Sequence, residues 1–180
     1  WSSDVCSSDL FVTLDKEFYR MELKSAWYFK GFMAGDVFEI AGRIGVADSL
    51  LNDEDVPFYE RFYLGGLSSL RGYRYREIGP RESFTTYSFD GTNNVVNGTA
   101  WEPAGGNTYW FLTAEYSTPI IEKLRFAVFY DIGMVYPGSF SFSPEPARGA
   151  GYDTGSYADN WGIGFRLTIP GLGPLRLDYG

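Results

Sequence analysis

Histidine is absent from the 180 residues, and cysteine occurs once, at Cys6. Without histidine no Ser-His or Cys-His nucleophile pair can be assembled from this chain, and the commonest zinc ligand is missing. Hydrolase and zinc-enzyme readings fall on that ground, and no metal site or cofactor is expected. Cys6 says little about redox compartment, although a chain otherwise free of cysteine is compatible with an oxidising one. Also lacking is any run near the ~20 apolar residues that a helix needs to cross a bilayer, which excludes a helical membrane protein. Base is scarcer than acid, 15 Lys and Arg against 23 Asp and Glu, for a net charge of -8. Such a surface offers little to replace counterions along a phosphate backbone, so no nucleic-acid partner is expected.

What the chain does have is aromatic side chains, 14 Tyr, 15 Phe and 5 Trp, together with 22 Gly. That composition points to an all-β chain carrying aromatic belts. Alternation with period two bears this out along the sequence. From Tyr19 to Phe29, Tyr19, Met21, Leu23, Trp27 and Phe29 share one face, opposite Arg20, Glu22 and Lys24. Phe38, Ile40, Ile44 and Val46 repeat the pattern, as do Trp110, Leu112, Ala114 and Tyr116. The clearest strand is Lys123 to Tyr136, with Leu124, Phe126, Val128, Tyr130, Ile132, Met134 and Tyr136 on one face and Lys123, Arg125 and Asp131 on the other. Trp161 to Ile169 and Leu175 to Tyr179 complete about six strands. They group as two over 19–46 and four over 109–180, separated by a long loop over 47–108.

Connections between these strands run short, long, short, long, short. Short turns are expected at Lys30 to Asp36, Pro119 to Glu122 and Pro170 to Pro174; the second long loop, Pro137 to Asp159, reads as mobile. Every strand keeps its charges on one side. A charged Arg or Lys on a lipid face near the midplane costs roughly 2–4 kcal/mol, so an uncharged face of this length suits an antiparallel transmembrane β-barrel. A soluble β-sandwich would show the same alternation with its oily face inward, and its aromatic side chains would then suit carbohydrate binding; its connections would have no need to alternate in length. Six strands are too few to close a membrane barrel, so a barrel fragment is expected. The first ten residues, WSSDVCSSDL, match no strand or helix period. They are expected to be a non-native tail outside the sheet, leaving 11–180 as the barrel domain.

The long loop holds an unusual stretch, PFYERFYLGGLSSLRGYRYREIGP, from Pro57 to Pro80. Six aromatics interleave with Arg61, Arg71, Arg74 and Arg76, and no lysine appears. Arginine without lysine suits planar, bidentate pairing with carboxylates in a partly dry setting. Gly66 to Leu70 lacks the final glycine of a nucleophile elbow and is read as turn. Asn97-Gly98-Thr99 has the form of a glycosylation sequon, and Asp153 with Asp159 is too sparse for calcium.

With the strands placed, this stretch resembles the large external loop of the BamA-type insertase family of outer-membrane assembly factors, whose hallmark is an Arg-Gly-aromatic tripeptide after a Gly-Gly turn. Here the tripeptide is Arg71-Gly72-Tyr73. The resemblance continues through GGNTYWFLTAEYSTP, RFAVFYDIGMVY and GPLRLDYG, covering roughly Tyr19 to Gly180. It implies a loop folded back into the barrel lumen, with Arg71 paired to Glu115 and Asp131 on the inner wall and Gly72 allowing a close approach. The loop motif it marks comprises Pro57, Tyr59, Glu60, Tyr63, Gly65, Gly66, Ile78, Gly79 and Pro80. Further implications are a bacterial outer-membrane location, client β-barrel proteins as partners beside membrane lipid, and assembly lipoproteins reached through periplasmic domains upstream of this chain. The related translocation and assembly barrels and two-partner secretion pores share the tripeptide and form the alternative reading.

Overall fold

A computed structural model describes residues 5–15, 17–51, 55–89, 94–142, 157–169, 171 and 173–180. Among the described residues there are nine strands, in chain order β1 (Val5–Leu14), β2 (Phe18–Lys30), β3 (Val37–Ser49), β4 (Arg81–Phe89), β5 (Asn94–Pro103), β6 (Thr108–Ile121), β7 (Leu124–Tyr136), β8 (Ala158–Ile169) and β9 (Gly173–Tyr179). Seven form one antiparallel sheet in the order β1-β2-β3-β6-β7-β8-β9, curled as a half-barrel, while β4 and β5 make a separate hairpin. Among the described residues there is no helix. Strands β2, β3 and β7 run to 13 residues and β6 to 14. At about 3.3 Å per residue and a tilt near 45°, such lengths cover the roughly 30 Å of a bilayer's hydrocarbon core.

Register fixes which side chains share a face. Across the middle of the sheet Arg43 pairs with Phe111, Thr113 with Asp131, Asp131 with Asn160 and Gly164 with Asp178. These belong to one face, which carries the charges and receives the long loop. The other face carries Leu23–Ile44, Leu112–Ile132, Val128–Ile163 and Phe165–Leu177 pairs. Its residues are left open, as Val128, Tyr130 and Trp161 illustrate.

Four expectations are corrected. Residues 5–10 do not lie outside the sheet: Val5 through Leu10 pair with Tyr28 through Leu23 as the first part of β1. Ladder hydrogen bonds come from the backbone, so the edge of β2 accepts a Ser-rich partner that shows no apolar period. The stretch 47–108 is not one loop, since it holds the end of β3 and the β4–β5 hairpin. Its signal was the β-branched and aromatic residues Thr85, Thr86, Tyr87, Val95 and Val96 on either side of Asp90-Gly91. Pro119 to Glu122 is shorter as a turn, because β6 continues through Ile121. Finally, Met134 and Tyr136 are buried rather than open to lipid. Trp110 Nε1 donates to the Tyr136 hydroxyl at 3.0 Å, and Phe142 packs edge-on against the Tyr136 ring. Most of the second long connection lies outside the described residues.

The position of β1 is testable through the native thiol. Cys6 faces Trp27 directly in the register, and antiparallel partners sit about 4.5–5.5 Å apart at Cα, within the span of a disulfide. Trp27→Cys should therefore crosslink to Cys6 under mild oxidation, whereas Phe29→Cys should not. Two titratable thiols remaining in oxidised Trp27→Cys would remove β1 from the sheet.

Candidate functional site, a loop clamped to the inner wall

The Pro57–Pro80 stretch folds onto the charged face because its apolar members have a partner there. Val56, Leu64, Leu70 and Ile78 are fully buried in a cluster with Tyr109, Phe111 and Val135. Two bridges shape the loop: Phe62 with Gly106, and Leu64 with Ile78. Between them Gly66 N donates to Leu70 O at 3.2 Å and to Tyr73 O at 3.1 Å, closing a turn across residues 66–73. That turn delivers Arg71 to the wall.

Arg71 is 4% exposed and Asp131 is 0% exposed. The guanidinium grips the carboxylate as a fork, Nε to Oδ2 at 2.5 Å and Nη2 to Oδ1 at 2.5 Å, and the Arg71 backbone N–H adds a third bond to Oδ2 at 3.2 Å. Nη1 reaches Glu115 Oε2 at 2.8 Å, and Nη2 also donates to Thr113 Oγ1 at 2.9 Å. Thr113 in turn donates to Asp131 Oδ1 at 2.5 Å. Below the fork lies the Phe129 ring, its centroid 3.4 Å from Arg71 Cζ. Four of the five guanidinium N–H groups thus donate to an oxygen, and one face rests on an aromatic ring. Burial works against the charge, but the hydrogen bonds to Asp131 and Glu115 outweigh it and hold the Arg71 pKa above the ordinary arginine value.

The clamp extends beyond the three residues implied by the resemblance. Arg166 bonds Glu115 through Nε to Oε1 at 3.0 Å and Nη2 to Oε2 at 2.7 Å, and reaches Asp178 Oδ1 at 2.5 Å. Arg176 holds Asp178 Oδ2 at 2.6 Å and approaches Glu115 at 3.4 Å. Arg71, Arg166 and Arg176 thus pair with Glu115, Asp131 and Asp178, while Glu39, opposite Glu115 in the register, accepts from the Tyr28 hydroxyl at 3.3 Å; this pairing is what permits so many charges under one loop. Asn160 completes the set by donating Nδ2 to Arg71 O at 2.8 Å. The sequence signal for the missed members was their parity. Thr113, Asn160, Arg166, Arg176 and Asp178 all fall on the same face as Glu115 and Asp131.

Gly72 has φ +84°, and a Cβ there would lie 2.3 Å from Asn160 Nδ2. Only glycine lets the backbone pass this close to the wall with that sign of φ. Tyr73 donates its hydroxyl to Asp159 O at 2.9 Å and packs on the buried cluster. Burial, with Asp159 and Glu77 nearby, raises its pKa.

The remaining motif residues shape the loop without joining the clamp. Pro57 O accepts from Glu60 N, Pro80 O accepts from Ala104 N, and Gly79 lies against Val135. The Tyr63 hydroxyl donates to Phe58 O at 3.0 Å and lies 3.3 Å from Ala104 O, a second acceptor for the same hydrogen. Tyr59 is exposed.

Comparison with known proteins places this arrangement. Residues 6–180 match the Omp85 superfamily domain. The chain is 33% identical over 128 residues, 70% of its length, to the outer membrane protein assembly factor BamA of Nitratidesulfovibrio vulgaris, and 27% identical over 130 residues, 68% of its length, to BamA of Neisseria meningitidis serogroup B. A SAM50-like protein of Drosophila melanogaster is 26% identical over 155 residues, 81% of this chain and 28% of that protein. The chain spans only 13% and 14% of the two bacterial relatives. In fold it is similar to the crystal structure of BamA from Haemophilus ducreyi lacking POTRA domains 1-3, with a TM-score of 0.71 at 23% identity over 98% of this chain and 34% of that one. A half-barrel of membrane-spanning strands with an internal Arg-Gly-Tyr loop, matched in sequence along nearly its whole length, belongs to the Omp85 superfamily as a BamA-like outer-membrane barrel segment.

Proposed function

We propose that the barrel to which this wall belongs folds and inserts other β-barrel proteins into the bacterial outer membrane. The observation that carries this reading is the Arg71 clamp, which ties a 24-residue aromatic loop to the inner wall of an Omp85-superfamily barrel. A loop fixed at this depth keeps the sheet's inner face dry and its curvature constant while strands elsewhere in the barrel separate. An opened strand edge presents unpaired N–H and C=O groups, and in hydrocarbon an incoming strand is the partner that satisfies them. This work is templating of backbone hydrogen bonds, with no bond chemistry and no cofactor. Its partners are membrane lipid, unfolded client barrels and, through domains outside this chain, periplasmic assembly lipoproteins.

The test is reconstitution of the complete reading frame that encodes this chain into vesicles of outer-membrane-type lipid. A urea-unfolded client barrel should become protease-protected and heat-modifiable faster than in empty vesicles. Equal rates in the two vesicle types would overturn the proposal.

A further inference from the structure

The lysine-free loop contributes its arginines to two sites of opposite character. In the clamp, three arginines meet three carboxylates. On the other side of the loop, toward β2 and β3, a cavity of about 230 Å³ is lined by Arg20, Arg43, Arg61 and Arg76 with a single carboxylate, Glu22. That carboxylate is already engaged by the Tyr109 hydroxyl and by Lys24 at 3.3 Å, and it lies 3.4 Å from Arg20 Nη2. Positive charge is therefore concentrated here in a chain whose net charge is -8.

Three of these guanidiniums are held by aromatic faces. Arg20 lies over Phe62 at 4.4 Å, Arg43 over Phe111 at 5.8 Å, and Arg76 over Tyr63 at 4.4 Å and Tyr75 at 5.2 Å. Stacking on a ring attracts the cation but leaves its in-plane N–H groups unspent. Arg20 Nε is shielded from solvent and donates to nothing among the described residues. An orphaned donor at this depth costs free energy unless something accepts from it. Arg61 differs from the other three: it bonds Val56 O at 2.9 Å and Ala104 O at 3.4 Å, and its nearest carboxylates, Glu82 at 3.6 Å and Asp55 at 3.9 Å, are exposed. It contributes field more than free donors. Backbone strain is also present at the rim, where Arg76 adopts φ 61°, a conformation unusual for a residue with a side chain.

We infer that this cavity is an anion site on the inner side of the barrel wall that takes a phosphate group, with Arg20, Arg43 and Arg76 as its ligands. A tetrahedral oxyanion accepts from several guanidinium forks at once, and the cavity has room for one together with part of the group that carries it. The phosphate reaches the site either as a soluble anion or on a short lipid headgroup; both present the same oxygens.

The experiment uses the intact barrel in zwitterionic detergent at fixed ionic strength. Inorganic phosphate is titrated in one arm and monomeric dihexanoyl phosphatidic acid in another, each followed by phosphorus NMR line broadening and compared with chloride. Saturable binding in either arm is expected, and the arm that saturates identifies the source. Arg43→Gln and Arg76→Gln should each weaken it about tenfold. Neither residue belongs to the clamp, so heat-modifiability of the unliganded barrel should be unchanged and serves as the control for folding. Arg176→Gln, a clamp substitution remote from the cavity, should leave phosphate affinity unaltered. Absence of saturation in both arms, or equal affinity in Arg43→Gln and Arg76→Gln, overturns the site.

Discussion

Arg71→Ala should release the loop from the wall and cost the folded barrel on the order of 3–5 kcal/mol, because Asp131 is left buried without its cation. Asp131 is wholly shielded from solvent, and three of its hydrogen bonds come from Arg71. Two of these are guanidinium bonds and are lost; Thr113 and the backbone N–H of residue 71 are what remain to it afterwards. Glu115 is less exposed to the change, since Arg166 still holds both of its oxygens. Damage should therefore concentrate at Asp131. The measured signs would be a lower temperature for loss of the compact band on a gel, new protease cleavage within 57–80, and slower client insertion. Arg71→Lys should recover only part of this, because an ammonium cannot span Asp131, Glu115 and Thr113 as a planar fork does. The double variant Arg71→Ala with Asp131→Asn should be less than additive, as the second change removes the charge that the first stranded. Strict additivity, together with an unchanged protease pattern, would return Arg71 to the standing of an ordinary loop residue.

Gly72→Ala is the second large effect, and it acts through the backbone rather than through charge. At φ +84° an L side chain costs roughly 1–2 kcal/mol. Its Cβ would also stand 2.3 Å from Asn160 Nδ2 and 2.8 Å from Asn160 Cγ, so that side chain must leave, taking its hydrogen bond to Arg71 O with it. Loss of that bond adds about 0.5–1.5 kcal/mol. The total, about 1.5–3.5 kcal/mol, should lower heat resistance clearly, though less than Arg71→Ala does. Asn160→Ala alone should cost about 1 kcal/mol. Combined with Gly72→Ala it should cost less than the sum, because the clash has already been removed; the φ penalty and the close approach to Gly180 remain. Wild-type heat resistance in Gly72→Ala would mean that the loop does not pass the wall at this distance.

Alternation along β2, β3, β6, β7, β8 and β9 was legible in the sequence because the side-chain period of a strand is two and one face of this sheet excludes charge. The same parity placed Glu115 and Asp131 on the inner side; the lysine-free composition of the loop pointed to arginine–carboxylate pairing, and the family resemblance singled out Arg71 among its four arginines. None of this depends on distant residues. Tertiary structure alone decided three things. It paired Val5–Leu14 with β2, since a backbone ladder needs no apolar pattern. It turned Met134 and Tyr136 from an open face into a covered one: the register sets Trp110 opposite Met134 and within reach of the Tyr136 hydroxyl, and the chain beyond β7 returns Phe142 to the Tyr136 ring. It also divided the arginines: parity assigns Arg43, Arg166 and Arg176 to the same inner face, but only the curl of the sheet and the path of the loop bring two of them to carboxylates and leave the third among aromatic rings. Charge pairing is a short-range matter of a few ångströms, whereas sequence period specifies a face, and a face is much wider than a hydrogen bond.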